Sequence, residues 1–226
     1  MSSAQTSTPN STTHNKTAAI ATGNALWNRV PKANAELFAL TYGALVTEVL
    51  RDYGDDIKGV NEQLDKMGHS MGVRCVDEYL AKLSHAAPQC QQFLDTAEVL
   101  AKSAFKMFLG ITADVVLMPS VAEDAKEGEG GAPEGGQYYS LILTDNPLAI
   151  FVELPDNYQT AADDGKPKLE YNALYCGLIR GALEMLNMRV ECTFVRSQLR
   201  GDDVNEIKVQ LKEVMADGAG EEYQEE

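Results

Sequence analysis

The chain has 226 residues, 44% of them hydrophobic, and a formal net charge of −15. That length and apolar content bury one sizeable core, so a single compact domain is expected. No apolar run reaches the ~18–20 residues a bilayer span needs, and the start, "MSSAQTSTPNSTTHNKT", lacks both the basic and the apolar part of a signal peptide, which argues against membrane spanning and export.

Residues 1–33 are rich in Ser, Thr and Asn and are expected to be a disordered tail. Order then begins at Asn34, an N-cap for a helix carrying Leu37, Phe38, Leu40, Leu45, Val46, Val49 and Leu50. A second helix with Ile57, Val60, Leu64, Met67 and Met71 runs on through Val76, Tyr79, Leu80 and Leu83, with a bend expected near Gly68 and Gly72. Pro88 and Cys90 open a third helix. Its apolar residues Phe93, Ala97, Leu100, Ala101, Ala104, Phe105, Phe108 and Leu109 follow the three-four spacing of one buried face, and Gly110 ends it. That face is rich in alanine, which leaves room for a backbone or a ligand to lie against it.

Strand-like runs follow. "ITADVVLM" comes first, then "QYYSLILTDNPLAIFVELP", in which Asp145-Asn146-Pro147 reads as a hairpin turn between two strands. Polar inserts are expected at 119–136 and 156–168. A helix over residues 169–187 precedes two more alternating runs, "MRVECTFVRSQL" and "VNEIKVQLKEV". Strands clustered in hairpins without strand–helix alternation predict an α+β domain over 34–215 with an antiparallel sheet. The rest, 216–226, is an acidic tail. Most of the charge is local to one insert and this tail: residues 119–136 contribute −4 and 217–226 contribute −5. These read as solvated charges, and no Lys/Arg stripe interleaved with aromatics points to nucleic acid.

Motifs for catalysis are absent. The glycines of "EGEGGAPEGG" have no following Lys-Ser/Thr, and the scattered acids have no metal-ligand spacing. The cysteines Cys75, Cys90, Cys176 and Cys192 form no Cys-x-x-Cys pair, which suits reduced thiols better than a disulfide framework or a zinc site. Cys176 reads as a small core residue. Cys90 stands out by its place just before the alanine-lined helix, whose N-terminus is expected to lower its pKa.

Five blocks, "ELFALTYGALVTEVLRDY", "VNEQLDKMGHSMGVR", "TAEVLAKSAFKMFLGIT", "SLILTDNPLAIFVELPDN" and "LYCGLIRGALEMLNMRVECTFV", resemble consecutive segments of the TRAPP subunit 3 family, the Bet-type core subunits of the transport protein particle. The resemblance implies helices packed on one side of a twisted antiparallel sheet, with an internal hydrophobic tunnel. It implies a non-catalytic core subunit of a vesicle-tethering complex in ER-to-Golgi transport, cytoplasmic and peripheral to Golgi and vesicle membranes. Other TRAPP small subunits are its implied partners, as a heterodimer and within a larger complex, and the assembled complex would act in exchange on a Rab/Ypt-class GTPase. Residue by residue, it implies a palmitoyl-type acyl chain on Cys90 and tunnel walls formed by Phe93, Ala97, Ala101 and Ala104. It also implies a contact of the C-terminal Glu221 and Glu222 with the GTPase. At about 0.8 kcal/mol per buried methylene, a palmitoyl-length chain gains on the order of 10 kcal/mol by leaving water, so an internal tunnel is favoured over an exposed anchor. The alternative is a stand-alone carrier or sensor of an apolar ligand; a thiol-dependent acyltransferase lacks a visible base.

Overall fold

A computed structural model describes residues 10–83, 90, 92–118, 137–155, 158 and 168–215. The insert at 119–136, most of the insert at 156–168, and the tail 216–226 with Glu221 and Glu222 lie outside the described residues.

Helix α1 spans Asn10–Arg29, α2 spans Ala35–Tyr53 and α3 spans Ile57–Lys82. Helix α4 covers residues 93–109 in three stretches: α-helical Phe93–Glu98, a π-helical turn Val99–Ala104, and α-helical Phe105–Leu109. Strands β1 (Asp114–Met118) and β2 (Tyr138–Leu143) precede α5 (Ala173–Glu184), and β3 (Met188–Arg196) and β4 (Asn205–Val214) follow it.

The expected start of α2 is present: the Asn34 side chain accepts from the Leu37 N–H at 2.7 Å. Of the tail expected to be disordered, residues 10–29 instead form α1, and residues 1–9 lie outside the described residues. Its buried residues Ala19 and Leu26 flank Gly23, and they lie on one face at helical spacing. Small residues hold this helix by close backbone approach rather than by a greasy stripe. A Cβ on Gly23 would come within 2.2 Å of the Lys102 carbonyl oxygen on α4.

The strands form one four-stranded antiparallel sheet in the order β1-β2-β4-β3, which is the expected fold class. Tyr139 faces Val209 and Leu141 faces Ile207 across β2 and β4, and all four are fully buried under the helices. The alternate positions carry ion pairs, Arg189–Glu213 at 3.1 Å and Arg196–Glu206 at 2.7 Å, as suits a sheet with one wet face. The hairpin predicted around Asp145 has only its first arm. Residues 149–155 make no ladder; instead the Ala149 N–H bonds Asn146 and the Val152 N–H bonds Ala149 in successive turns. Leu148 and Leu154 anchor this loop inside, with Val152 packed partly against the core, while Ile150 and Phe151 face out.

Helix α3 is continuous through Gly68 and Gly72, and both glycines serve packing. A Cβ on Gly68 or Gly72 would lie 2.1 Å from the carbonyl oxygen of Leu174 or Leu178, respectively. In return, Gly177 and Gly181 on α5 sit against the carbonyls of Asp65 and His69. The two helices therefore touch backbone to backbone, tied at the sides by Arg180–Asp65 and by His69–Glu184 at 2.5 Å.

Candidate functional site

Beside these glycine contacts α3 and α5 also carry large side chains, and α4 lies across both. The three helices leave an apolar cavity of about 260 Å³ between them. Helix α3 supplies Cys75, Val76, Tyr79 and Leu80; α4 supplies Thr96, Val99, Leu100, Ala104, Phe105 and Phe108; α5 supplies Tyr175, Leu178, Ala182 and Leu186. Cys90 completes the wall where the chain enters α4.

Of the predicted wall residues, Ala104 lines this chamber and Phe93, Ala97 and Ala101 do not. Those three fill the main core: Ala97 and Ala101 are fully buried, and the Phe93 ring lies 4.9 Å from that of Tyr139. The reason is the phase of α4. The resemblance placed the wall along Phe93, Ala97, Ala101 and Ala104, whereas the chamber takes Thr96, Val99, Leu100, Ala104, Phe105 and Phe108. A four-residue spacing drifts by about 40° per step on an ideal α-helix and stays in line only where the helix widens. The π turn Val99–Ala104 is that widening. It also frees the Ala101 carbonyl to accept from the Ala113 N–H at 3.0 Å.

The polar atoms in the wall are satisfied in pairs. The Tyr79 hydroxyl donates to Ser103 Oγ at 2.7 Å, and the Thr96 and Tyr139 hydroxyls share a bond of 3.0 Å. Nothing in these pairs asks for a polar ligand, and an apolar lining of this size suits a hydrophobic molecule.

Cys90 is a free, half-buried thiol. Burial, and secondarily the Asp95 carboxylate, push its pKa up to about 11. The expected lowering by the helix N-terminus is outweighed by this burial, and that N-terminus already holds a carboxylate: Asp95 Oδ2 accepts from the Gln92 N–H at 3.0 Å. At neutral pH Cys90 is a protonated thiol on a greasy wall. Cys176, as expected, is buried. Sequence reasoning took Val76, Tyr79 and Leu80 as core of α3 and missed their role as wall, as it missed Cys75, Leu178 and Ala182.

A second crevice is lined by Asp65, Glu170, Cys176 and Cys192 among others. Its carboxylates are already occupied, Asp65 by Arg180 and Glu170 by Arg200. Among the described residues no cluster suits a metal ion, and no helix is long and apolar enough to cross a membrane.

Residues 38–210 match the family model described as transport protein particle (TRAPP) component. A trafficking protein particle complex subunit 3 from Dictyostelium discoideum is 46% identical over 195 residues, covering 86% of this chain and 92% of that protein. The trafficking protein particle complex subunit BET3 of Saccharomyces cerevisiae is 38% identical over 198 residues, covering 87% and 91%. A crystal structure of a trafficking protein particle complex subunit 3 from Naegleria fowleri, covalently bound to palmitic acid, is similar with a TM-score of 0.65 and 45% identity, over 81% of this chain and 98% of that one.

Proposed function

The chain belongs to the transport protein particle (TRAPP) component family, and on that premise we propose that it is a core scaffold subunit of a vesicle-tethering complex in ER-to-Golgi transport, with a palmitoyl-type chain thioester-linked to Cys90 as its structural lipid. The observation that carries the lipid reading is the position of Cys90 in the wall of the apolar chamber. The relative from Naegleria fowleri, with its covalently bound palmitic acid, supports it.

The chemistry is acyl transfer. Cys90 gives up its proton, Sγ attacks the carbonyl carbon of an acyl-coenzyme A, and coenzyme A leaves as the free thiol. With its pKa near 11 the thiol reacts slowly at neutral pH. Burial of the chain then protects the product. Intact mass of protein from its native host, before and after hydroxylamine, tests this: the acyl mass should be present and then lost, and an unmodified mass throughout overturns the reading.

Assembly is supported by the unpartnered apolar side of α2 and α3. Leu37 is 65% exposed, Leu40 59% and Met71 40%, more than a lone domain needs to show to water. Partners are other small subunits of the complex, docking through these helices. The assembly works on the cytoplasmic side, peripheral to Golgi and vesicle membranes. Native pull-down separates the alternatives: co-purifying small subunits support the scaffold, and a lipid-loaded monomer supports a carrier.

Exchange activity on a Rab/Ypt-class GTPase belongs to the assembled complex in this reading. Glu221 and Glu222 would reach the nucleotide site, compete with phosphate for its lysine and backbone donors, and weaken the hold on nucleotide. Cutting the chain after Val214 should slow exchange by the reconstituted complex; an unchanged rate with assembly intact retires the tail.

A further inference from the structure

Helix α4 separates two different things. Its inner side, Val99, Leu100 and Ala104 above all, is wall to the chamber. Its outer side is the seat of α1, whose principal packing partner is α4.

The seat runs the length of the helix. Asn15 Nδ2 donates to Asp95 Oδ1 at 2.8 Å near the Cys90 end. Gly23 rests on the backbone of the π turn, where a Cβ would meet the Lys102 carbonyl oxygen at 2.2 Å and Ser103 Cα at 3.0 Å. At the far end a Cβ on Gly110 would come within 2.8 Å of the Trp27 ring, and Lys106 Nζ lies 5.5 Å from that ring's centre. Ala19 and Leu26 are almost fully buried between these points.

The π turn is common to both sides. It sets the row Thr96, Leu100, Ala104 and Phe108 toward the chamber, and the same turn presents the Lys102–Ser103 backbone to Gly23. Backbone contact at that distance tolerates no shift. If the turn relaxed toward an ordinary α-helix, the residues beyond it would rotate, the chamber wall would change shape, and the seat for Gly23 would move.

We propose that α1 is a strap whose seating on the outer face of α4 is coupled to occupancy of the chamber on its inner face: a filled chamber holds α1 down, and an empty one lets it lift. This rests on the reading that the chamber takes an apolar chain, and not on how that chain is attached. Coupling of this kind is reciprocal, since two ligands of one wall change each other's affinity by the same factor. The N-terminal helix thereby becomes a reporter of lipid status at the surface of the subunit.

The test uses full-length Cys90→Ser protein, which cannot be acylated there, with the fluorescent fatty acid cis-parinaric acid as probe. Amide exchange over residues 15–29 should slow by roughly tenfold on saturation, within the ~5–150-fold range of two-site coupling. Adding Gly23→Val, which unseats α1, should weaken probe binding by the same factor. Probe binding that leaves exchange over 15–29 unchanged overturns the coupling alone. Failure of the Cys90→Ser chain to bind the probe overturns the chamber reading and the coupling with it. The exchange measurement needs no substitution in α1, so it decides the matter even if Gly23→Val does not fold.

Discussion

Stripping the acyl chain should leave a folded but markedly less stable protein. The perturbation is hydroxylamine treatment of acylated protein, which cleaves a thioester and leaves the peptide chain intact. It empties a cavity of about 260 Å³. At about 24 cal/mol per Å³ of residual cavity, the loss has an upper bound of about 6 kcal/mol. The chamber is not sealed: Leu80 is 53% exposed and Phe108 39%, so the wall can collapse and solvent can wet it. Taking half the bound, about 3 kcal/mol, and about 2–4 °C per kcal/mol for a chain of this size, the melting temperature should fall by about 6–12 °C. Calorimetry paired with intact mass reads both quantities on one sample. The same treatment of Cys90→Ser protein should shift nothing. Complete loss of the acyl mass with a melting temperature changed by less than about 1 °C would show that the chain does not fill this cavity, and the packing argument would fail.

Ala104→Leu puts a larger side chain into the chamber wall, so acyl uptake should fall while the deacylated variant is at least as stable as deacylated wild type; acyl-mass occupancy and urea melts check both halves. Gly177→Ala places a Cβ 1.9 Å from the Asp65 carbonyl oxygen and must push α3 from α5, a loss of at least about 3 kcal/mol in urea unfolding. Gly201→Ala is the contrast, with φ of +89° and nothing within 4 Å, and should cost only about 1–2 kcal/mol from backbone strain. Because the Cys90 thiol titrates near 11, its acylation by palmitoyl-coenzyme A should quicken with pH by about tenfold per unit from neutrality toward that value. A plateau from about pH 8.5, as for an ordinary exposed thiol, would refute the burial of Cys90.

The parts of the molecule legible in the sequence are those where one stripe meets one core. Asn34 before Leu37 gives the start of α2, Gly110 gives the end of α4, and the alternation of Ile207 and Val209 gives β4 its buried face. The second arm of the hairpin failed because "LAIFVELP", though strand-like in composition, pairs with no strand among the described residues. Whether Ile150 and Phe151 enter a ladder is decided by the turn hydrogen bonds of Asn146 and Ala149, not by propensity. Helix α1 was invisible for a related reason. Its buried face is Ala19, Gly23 and Leu26, and small residues score as indifferent on any apolar scale although they permit the closest contacts.

The site divides along the same line. Cys90 and Ala104, to which a resemblance pointed, lie in the chamber wall, whereas Phe93, Ala97 and Ala101, from the same resemblance, pack into the main core. A cavity is also a harder object than a core, since it is what several elements jointly fail to fill. Tyr79, Leu178 and Ala182 sit on three-four spaced apolar positions that cannot be told from core within one helix. They line the chamber beside the close backbone approach of α3 and α5, Leu178 and Ala182 being among the residues whose backbone Gly72 touches. A substitution that spread the pair would alter the chamber without touching one residue that lines it.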